Sequence, residues 1–268
     1  MPNVTETIDP RALTRLRHET RMRRLEVIAV TDITPKMRRI SLRGDLTGFA
    51  SPGHADHIKV FIFPAGIEPM LGTIGERGAE FPEGQKPQMR DYTPRFFDVA
   101  AGRIDIDFVL HGDGPASGWA AQAKVGQTLV IGGPRGSIMV PNTYDWYFLA
   151  GDETALPALG RRIEELPAGA KVVAVIEIAD AAEEQVFESR ADVSLHYVHR
   201  NGLPAGTQGP LLDAIKALTF PAGEAYAYVA AESGVAKGIK AHLLDERGFP
   251  PDYVRAPGYW LLGEADSH

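Results

Sequence analysis

The hydrophobic period changes once along this chain, near Trp146, and that change limits the fold more than any other feature. Before it, "RLEVIAVTDI", "MRRISLRG", "HIKVFIFP", "GRIDIDFVLHG" and "QTLVIGGPRGSIMV" are short, alternating or β-branched runs broken by Gly, Pro and Asp. Such runs predict an antiparallel sandwich or barrel. After it, "WYFLAGD", "KVVAVIEIA", "VSLHYVH", "AYAYVAAE" and "YWLLG" are nearly continuous apolar runs. Between them "ETALPALGRRIEEL", "PLLDAIKAL" and "GVAKGIKAHLLDERG" read as helices, the last closed by Gly248 and Pro250. Strands apolar on both faces, alternating with helices, predict a parallel sheet covered on both sides. The expected organisation is an N-terminal antiparallel β-barrel over residues 21–142 and a C-terminal parallel-sheet α/β domain over residues 143–268, divided within "VPNTYD", residues 140–145. Residues 1–20 form an expected N-terminal arm. Asp9 and Pro10 read there as the N-cap and first position of a short helix through "PRALTRLRHETRMRRL".

Composition removes whole classes of function. With no cysteine, the chain has no disulfides, thiolate metal ligands, cysteine nucleophile or ordinary protein-ligated iron–sulfur cluster. If it handles electrons, an organic cofactor must carry them. A formal charge of -7 argues against nucleic acid as a general partner. No run approaches the roughly 20 apolar residues of a membrane span, and the first residues lack the apolar core of a secretory signal, so a soluble, cytoplasmic protein without membrane insertion is expected. The charge is uneven, with ten Lys and Arg against five Asp and Glu in residues 1–43, which reads as a solvated basic arm or a dock for an acidic partner.

A barrel followed by a parallel α/β domain suits the movement of reducing power, one domain holding a flat redox cofactor and the other a nucleotide at the carboxyl ends of its strands. The stretch "RDYTPRFFD", residues 90–98, offers the right groups. A Tyr ring stacks on a planar system, a Thr hydroxyl both gives and accepts a hydrogen bond, and Arg grips phosphate. On a continuous strand Arg90 and Tyr92 share one face, and Thr93 and Arg95 the other, unless Pro94 bends the run. The alternative is an ordinary barrel strand with surface arginines. Downstream, a strand is expected to end at His111, followed by a turn and the short helix "ASGWAAQA" with Ser117 near its start, where free N–H groups and a hydroxyl suit an anion.

The chain also holds "DYTPR" after Arg90, "HGDGPASGWA", "GGPRGS", "LAGDETALPAL" and a closing "GYW", in order from about residue 24 to residue 263. This set resembles the siderophore-interacting proteins, flavin-dependent ferric-siderophore reductases of the larger ferredoxin reductase superfamily. The resemblance implies FAD in the barrel and a pyridine nucleotide in the α/β domain. Tyr92 would then stack on the isoalloxazine, Thr93 would hydrogen bond near its redox-active nitrogen, and Arg90 or Arg95 would hold the pyrophosphate. Phe108, Val109 and His111 would line the ring or its ribityl chain, and Ser117 would bind phosphate. His111 has the alternative role of ordering its turn.

There is no GxGxxG. "AGDETALP" instead places Gly151, Asp152, Glu153 and Thr154 where a nucleotide pyrophosphate or nicotinamide would lie, with helix capping by Asp152 or Thr154 as their other role. Glu177 and Asp180 end the next strand, where an acidic group suits a ribose diol and hence NADH. The resemblance implies NADPH, so both donors stay open. Glu232 touches nicotinamide or caps the following helix. For a ferric chelate, commonly anionic, the resemblance points to Lys59 and to Lys237, Lys240 and Arg247, although each taken singly reads first as a solvated side chain. Many relatives carry a basic residue directly after Tyr259–Trp260, where this chain has Leu261. Tyr259 and Trp260 read as core residues or as a cover on the flavin. His54 and His57, and His196 and His199, lie three apart on expected strands, so each pair faces opposite sides and no metal site is expected.

The expected activity is an FAD oxidoreductase that takes a hydride from NADPH or NADH and delivers single electrons to a ferric siderophore or other ferric chelate. No acid–base triad is needed. Other expectations are a different acceptor such as a quinone, a siderophore-binding protein, or a ferredoxin-fed reductase docked on Arg15, Arg17, Arg21, Arg23 and Arg24. The Gly/Pro-rich connection at residues 65–88 is expected to be mobile or functional.

Overall fold

A computed structural model describes residues 9–75, 78–112 and 114–263. The first half contains β1 (Thr14–Arg17), β2 (Met22–Thr34), β3 (Met37–Arg43), β4 (Ile58–Ile62), β5 (Thr73–Gly75), β6 (Gly78–Glu80), β7 (Gln88–Tyr92), β8 (Pro94–Asp98), β9 (Arg103–Val109), α1 (Pro115–Gln122), β10 (Thr128–Gly132) and β11 (Gly136–Met139). The second half contains β12 (Trp146–Gly151), α2 (Leu156–Glu165), β13 (Lys171–Ile178), β14 (Asp192–His199), α3 (Pro210–Ala217), β15 (Ala225–Glu232), α4 (Ser233–Ala241), β16 (Val254–Arg255) and β17 (Gly258–Trp260).

Seven strands of the first half form one antiparallel sheet in the order β7-β4-β10-β2-β3-β9-β8. Its end strands β7 and β8 are consecutive in sequence, with only Thr93 between them. Laid flat, seven strands would hold their edges roughly 29 Å apart at the usual interstrand spacing. One residue spans a small fraction of that, so the sheet must curl until its edges meet at Thr93. The interior is apolar and sealed: Val27, Ile40, Leu42, Ile58, Val60, Ile104, Ile106 and Phe108 are fully buried, each contributing roughly 1.5–3 kcal/mol of transfer free energy.

The second sheet is parallel, in the order β14-β13-β12-β15-β16, and β17 also pairs with β15. Every residue of its central strands β12 and β15 is buried, whereas edge strand β14 alternates. This is what apolar runs on a doubly covered sheet require. Tyr147, Leu149 and Ile176 pack with Leu159 and Ile163 of α2 on one face, while Phe148, Val175 and Val229 pack with Ile215 of α3 and Ile239 of α4 on the other. The fold is thus the expected curled antiparallel sheet followed by a parallel α/β sheet.

Several local expectations are corrected. The arm holds no helix over residues 10–25. Its residues 14–17 pair with β11 in register Thr14↔Met139 to Arg17↔Gly136. All four residues of β1 are exposed, Leu16 at 40%. A helix there would have had no apolar face to bury, whereas the free edge of β11 supplies backbone partners. "RDYTPRFFD" is two strands rather than one, so face alternation does not carry across Thr93. The fourth barrel segment, "GRIDIDFVLHG", ends its strand at Val109, before His111. Residues 65–88 carry a small hairpin, β5 with β6. Among the described residues no helix is long and apolar enough to cross a membrane.

The two halves are held together by named contacts. Arg161 of α2 is buried and donates to the Ser51 carbonyl at 2.8 Å, the Ser51 hydroxyl at 3.1 Å and the Pro94 carbonyl at 3.2 Å. Thr34 at the end of β2 donates to Glu183 at 2.5 Å, and Arg95 pairs with Glu164 of α2 at 2.6 Å. The arm adds a strap, with Arg11 bonded to Glu224 and, at 3.4 Å, to Asp145.

Candidate functional site

The curl brings Tyr92, Thr93 and Pro94 to the seam between sheet edges. The Tyr92 ring lies 4.4 Å from the Phe108 ring at a 39° tilt, and Phe108 in turn packs on Trp119 of α1 at 5.7 Å. Tyr92 is half-buried on a fully buried aromatic base. Burial raises its phenol well above the usual range, so it stays neutral. Thr93 is buried, and in the parallel half the Tyr259 phenol meets the Tyr228 phenol at 2.8 Å.

Arg90 and Arg95, expected as alternatives for one phosphate, lie at opposite ends of the sheet order. Arg90 donates to the Met89 carbonyl at 2.8 Å. Arg95 is engaged by Glu164 and, at 3.9 Å, by Asp107, and it borders a cavity of about 510 Å³ together with Arg39, Gln185 and Phe187. Val109 is half-buried at the end of β9 and His111 is exposed beyond it. The His111 backbone N–H donates to the Ser117 hydroxyl at 2.9 Å, a bond that orders the turn. A Cβ at Gly114 would lie 2.8 Å from the His111 ring, so a side chain there would displace that exposed ring. Helix α1 starts at Gly114 with no side-chain cap, leaving first-turn N–H groups for an anion.

In the second half, a Cβ at Gly151 would meet the Ala230 carbonyl at 2.3 Å and the Ala155 Cβ at 2.7 Å, so only glycine fits. Asp152 is buried and fully engaged. It accepts from the Thr154 N–H at 2.9 Å, the Thr154 hydroxyl, the Glu232 N–H at 3.1 Å and the Trp260 indole at 2.8 Å. Burial pushes its carboxyl upward against those hydrogen bonds. It forms a turn before α2 rather than capping it, since the N-cap is Ala155. Glu232 caps α4, accepting from Gly234 at 2.7 Å and Val235 at 3.0 Å.

Glu153 and Glu177 converge on Arg200, a residue the sequence reading missed. The guanidinium pairs with both oxygens of Glu153 and reaches Glu177 at 3.4 Å. The trio sits at the carboxyl ends of β12, β13 and β14, where a nucleotide enters such a sheet. Glu177 Oε2 and Arg200 Nε are buried without a hydrogen-bond partner among the described residues, and burial raises the Glu177 carboxyl. The only sequence signal for Arg200 was its place just after an apolar strand. Asp180 caps the short turn at Ala181–Glu183 through the Ala182 N–H.

Of the expected chelate contacts, Lys59 on β4 pairs with Asp91 at 2.8 Å, while Lys237 and Lys240 are exposed on α4 in the other half. Arg247 plays a different part: it donates to the Lys216 carbonyl at 2.8 Å and the Leu218 carbonyl at 3.2 Å beyond α3, and lies over the Phe220 ring at 4.8 Å. Arg135 was missed. It is exposed, its side chain has no ion pair among the described residues, and it follows Gly132, the partner of Lys59 in register. The basic arm shrinks on folding, because Arg23 is buried against the Thr47 and Gly133 carbonyls, Arg21 pairs with Glu19 and Arg24 with Glu68. Arg15 and Arg17 stay exposed. His54 is buried and donates to the Ala158 carbonyl at 3.2 Å, His196 bonds Ser194 and His199 pairs with Glu184.

A tyrosine ring on a buried aromatic base, a buried threonine hydroxyl and an uncapped helix start fit a flavin dinucleotide. A curled antiparallel sheet joined to a parallel α/β sheet at such a site defines the ferredoxin reductase-like flavoproteins, whose fold this chain shares. Within that class, residues 26–138 match the siderophore-interacting FAD-binding domain and residues 144–263 match the siderophore-interacting protein model. The chain belongs to the siderophore-interacting protein family. It is 33% identical over 255 residues to the NADPH-dependent ferric-chelate reductase of Escherichia coli, covering 94% of this chain and 97% of that one. It is 32% identical over 248 residues to a ferric vibriobactin reductase of Vibrio cholerae, covering 90% of each. The crystal structure of a siderophore utilization protein from T. fusca superposes with a TM-score of 0.88 at 39% identity, covering 96% of this chain and 98% of that one.

Proposed function

We propose that this chain is an FAD-dependent reductase that uses NADPH to reduce a ferric siderophore or other ferric chelate and so releases its iron. The observation that carries the reading is the seam at Tyr92–Thr93–Pro94, an aromatic platform with a buried threonine, gripped from the parallel half by Arg161. Bound FAD supplies the exchange between a two-electron hydride donor and a one-electron ferric acceptor.

The protein's own groups do the rest. Tyr92 and its Phe108 base set the plane of the ring, and the start of α1 with Arg90 neutralises phosphate. Residues 21–142 serve as the FAD domain and residues 143–268 as the nucleotide domain, in which Gly151 and Thr154 border the pyrophosphate path and the Glu153–Arg200–Glu177 trio the ribose end. Arg161 keeps the halves in register, which fixes the approach of the two cofactors. Lys59 and Arg135 draw in an anionic chelate without enclosing it, so that chelates of different shape are accepted. Lys237 and Lys240 add charge from the other half. Oxygen donors hold ferrous iron less tightly than ferric iron, so reduction loosens the complex. A donor and substrate of this kind favour a cytoplasmic location.

Exposed Arg15 and Arg17 on β1 favour a second donor route, in which an acidic protein such as a ferredoxin docks there. The test is an anaerobic visible spectrum of the FAD-loaded protein. Bleaching by NADPH and recovery on adding a ferric chelate support the reading. A flavin that NADPH does not bleach but reduced ferredoxin does would replace the donor, and one that neither bleaches would make the chain a binding protein.

A further inference from the structure

The parallel sheet ends on one side at β16, two residues long, and on the other at β14, eight residues long. At both ends of β14 an even-numbered residue bonds inward: the Asp192 N–H donates to the Ala170 carbonyl at 2.8 Å, and the Arg200 N–H, one position past the strand, to the Ile178 carbonyl at 2.9 Å. Between them the register with β13 runs unbroken from Asp192 to His199. In an extended strand the N–H and C=O of one residue point to the same side, and the side alternates along the chain. The even-numbered residues therefore serve β13, while Val193, Leu195, Tyr197 and His199 turn their backbone groups away from the sheet. Those N–H and C=O groups have no hydrogen-bond partner among the described residues. Edge strands are ordinarily blunted by shortness, a proline, a lysine or a bulge. The strand "DVSLHYVH" has none of these.

We propose that β14 is a dimer edge whose partner is the β14 of a second copy of this chain, paired antiparallel about a two-fold axis through Leu195. Because outward backbone groups sit on odd-numbered residues, a two-fold partner must pair odd with odd. Centring on Leu195 sets Val193 opposite the partner's Tyr197, a β-branched residue against an aromatic one, and Ser194 opposite the partner's His196, a hydroxyl against an imidazole. Ser194 and His196 already bond each other within the chain at 2.8 Å and are exposed, so both can turn to the partner. Charge is complementary as well: Asp192, exposed and without an ion pair among the described residues, lies on the diagonal from the partner's His196. Centring on His196 instead would set two imidazoles against each other and Val193 against the partner's His199, a poorer match. Each copy carries a formal charge of -7, but Asp192 is the one carboxylate in β14, so little like charge meets at the edge.

A nearby apolar group supports the same partner. The Gln185 N–H donates to the Tyr197 phenol at 3.0 Å, which holds the next residue, Val186, beside the Tyr197 face of β14 at 95% exposure. A second β14 laid alongside would cover it. The pairing is isologous and closes at two copies, since β16 offers too short a second edge. It also points the carboxyl ends of the two sheets in opposite directions, which leaves both nucleotide ends open. Pairing through one edge falls at the small end of specific interfaces, below about 1,200 Å², so the dimer fraction rises with protein concentration.

The test is sedimentation equilibrium of the FAD-loaded full chain over a range of concentrations. The weight-average mass is expected to climb from one chain toward two and no further. Leu195→Pro removes an outward N–H at the axis and spares the inward bonds to β13, so it is expected to stay at one chain mass where the wild type is half dimeric. A second readout does not depend on that variant folding. The chain has no cysteine. Ser194→Cys combined with His196→Cys places thiols on an opposed, non-hydrogen-bonded pair with Cα atoms about 4.5 Å apart, within disulfide reach. Either single variant meets its own image only across a diagonal of about 7–8 Å, beyond that reach, and should cross-link roughly tenfold less on mild oxidation. One chain mass at every concentration overturns the proposal. So does a dimer that Leu195→Pro leaves intact, a double variant that fails to cross-link, or a mass that grows beyond two chains.

Discussion

Trp260 donates its indole N–H to Asp152 at 2.8 Å, tying the last strand to the first strand of the parallel sheet across 108 positions. The same carboxylate receives the Glu232 N–H, so one buried group gathers the carboxyl ends of β12, β15 and β17. Asp152→Asn keeps the shape but replaces one acceptor oxygen with a donor facing donors. It is expected to cost about 2–4 kcal/mol, as for a disrupted buried network, whereas Trp260→Phe costs about 1–2 kcal/mol for one lost bond. Urea unfolding with both variants checks the order, which a larger loss in Trp260→Phe would reverse.

Tyr92 is expected to act through its ring and not its hydroxyl. Tyr92→Phe retains FAD at close to wild-type affinity, while Tyr92→Ala removes the platform above Phe108 and weakens FAD by tenfold or more, about 1.4 kcal/mol or above. Recovery of flavin fluorescence on dilution gives both values. Equal losses in the two variants would assign the role to the phenol.

Arg161 spans the two halves with a planar fork that lysine does not reproduce. Arg161→Lys is expected to lose about 2–4 kcal/mol, since it leaves buried carbonyls unpaired. It should also slow bleaching of the flavin by NADPH more than it changes FAD affinity, because it loosens the register between halves. Stopped-flow absorbance separates these effects.

His54 sets a pH dependence of stability. Burial, with the Arg162 charge adding to it, pushes its pKa down from 6.5 to about 3. The native ring is therefore neutral where the unfolded ring is charged, and the unfolded chain binds the extra proton between those values. Stability from this group is complete above pH ~6.5 and falls as pH drops toward ~3, with a slope approaching 1.4 kcal/mol per pH unit. His54→Gln, which keeps a donor for the Ala158 carbonyl, should flatten the acid limb of the stability profile between pH 6 and pH 4. An unchanged limb would mean that His54 is not its source.

Lys59 and Arg247 separate substrate attraction from structure. Lys59→Glu is expected to raise KM for an anionic ferric chelate several-fold, with the difference shrinking at high salt, and to leave kcat within about twofold. Arg247→Ala is expected to lower Tm through lost contacts to the Lys216 and Leu218 carbonyls and to Phe220, with little change in KM. Steady-state kinetics at two ionic strengths and a thermal melt decide the assignment.

Local pattern carried much of this. Strand period, Gly and Pro breaks and the two apolar grammars determined the antiparallel and parallel halves, because side-chain alternation and double burial are properties of short segments. The "DYTPR" and "HGDGPASGWA" stretches pointed to the candidate site through their resemblance to a family. The arm was misread because its helix-forming residues lacked an apolar face to bury, and the edge that captured them, β11, lies more than a hundred residues away. The charges of Arg95 and Arg247 were visible in sequence, while their partners Glu164, Lys216 and Leu218 are not adjacent to them until the chain folds. Arg200 and the Tyr228–Tyr259 pair were invisible for the converse reason. The chain by itself determined which elements form and which residue types are available. Tertiary structure alone decided which charges are neutralised and which hydroxyls align, because burial and hydrogen-bond direction depend on residues brought together from both halves.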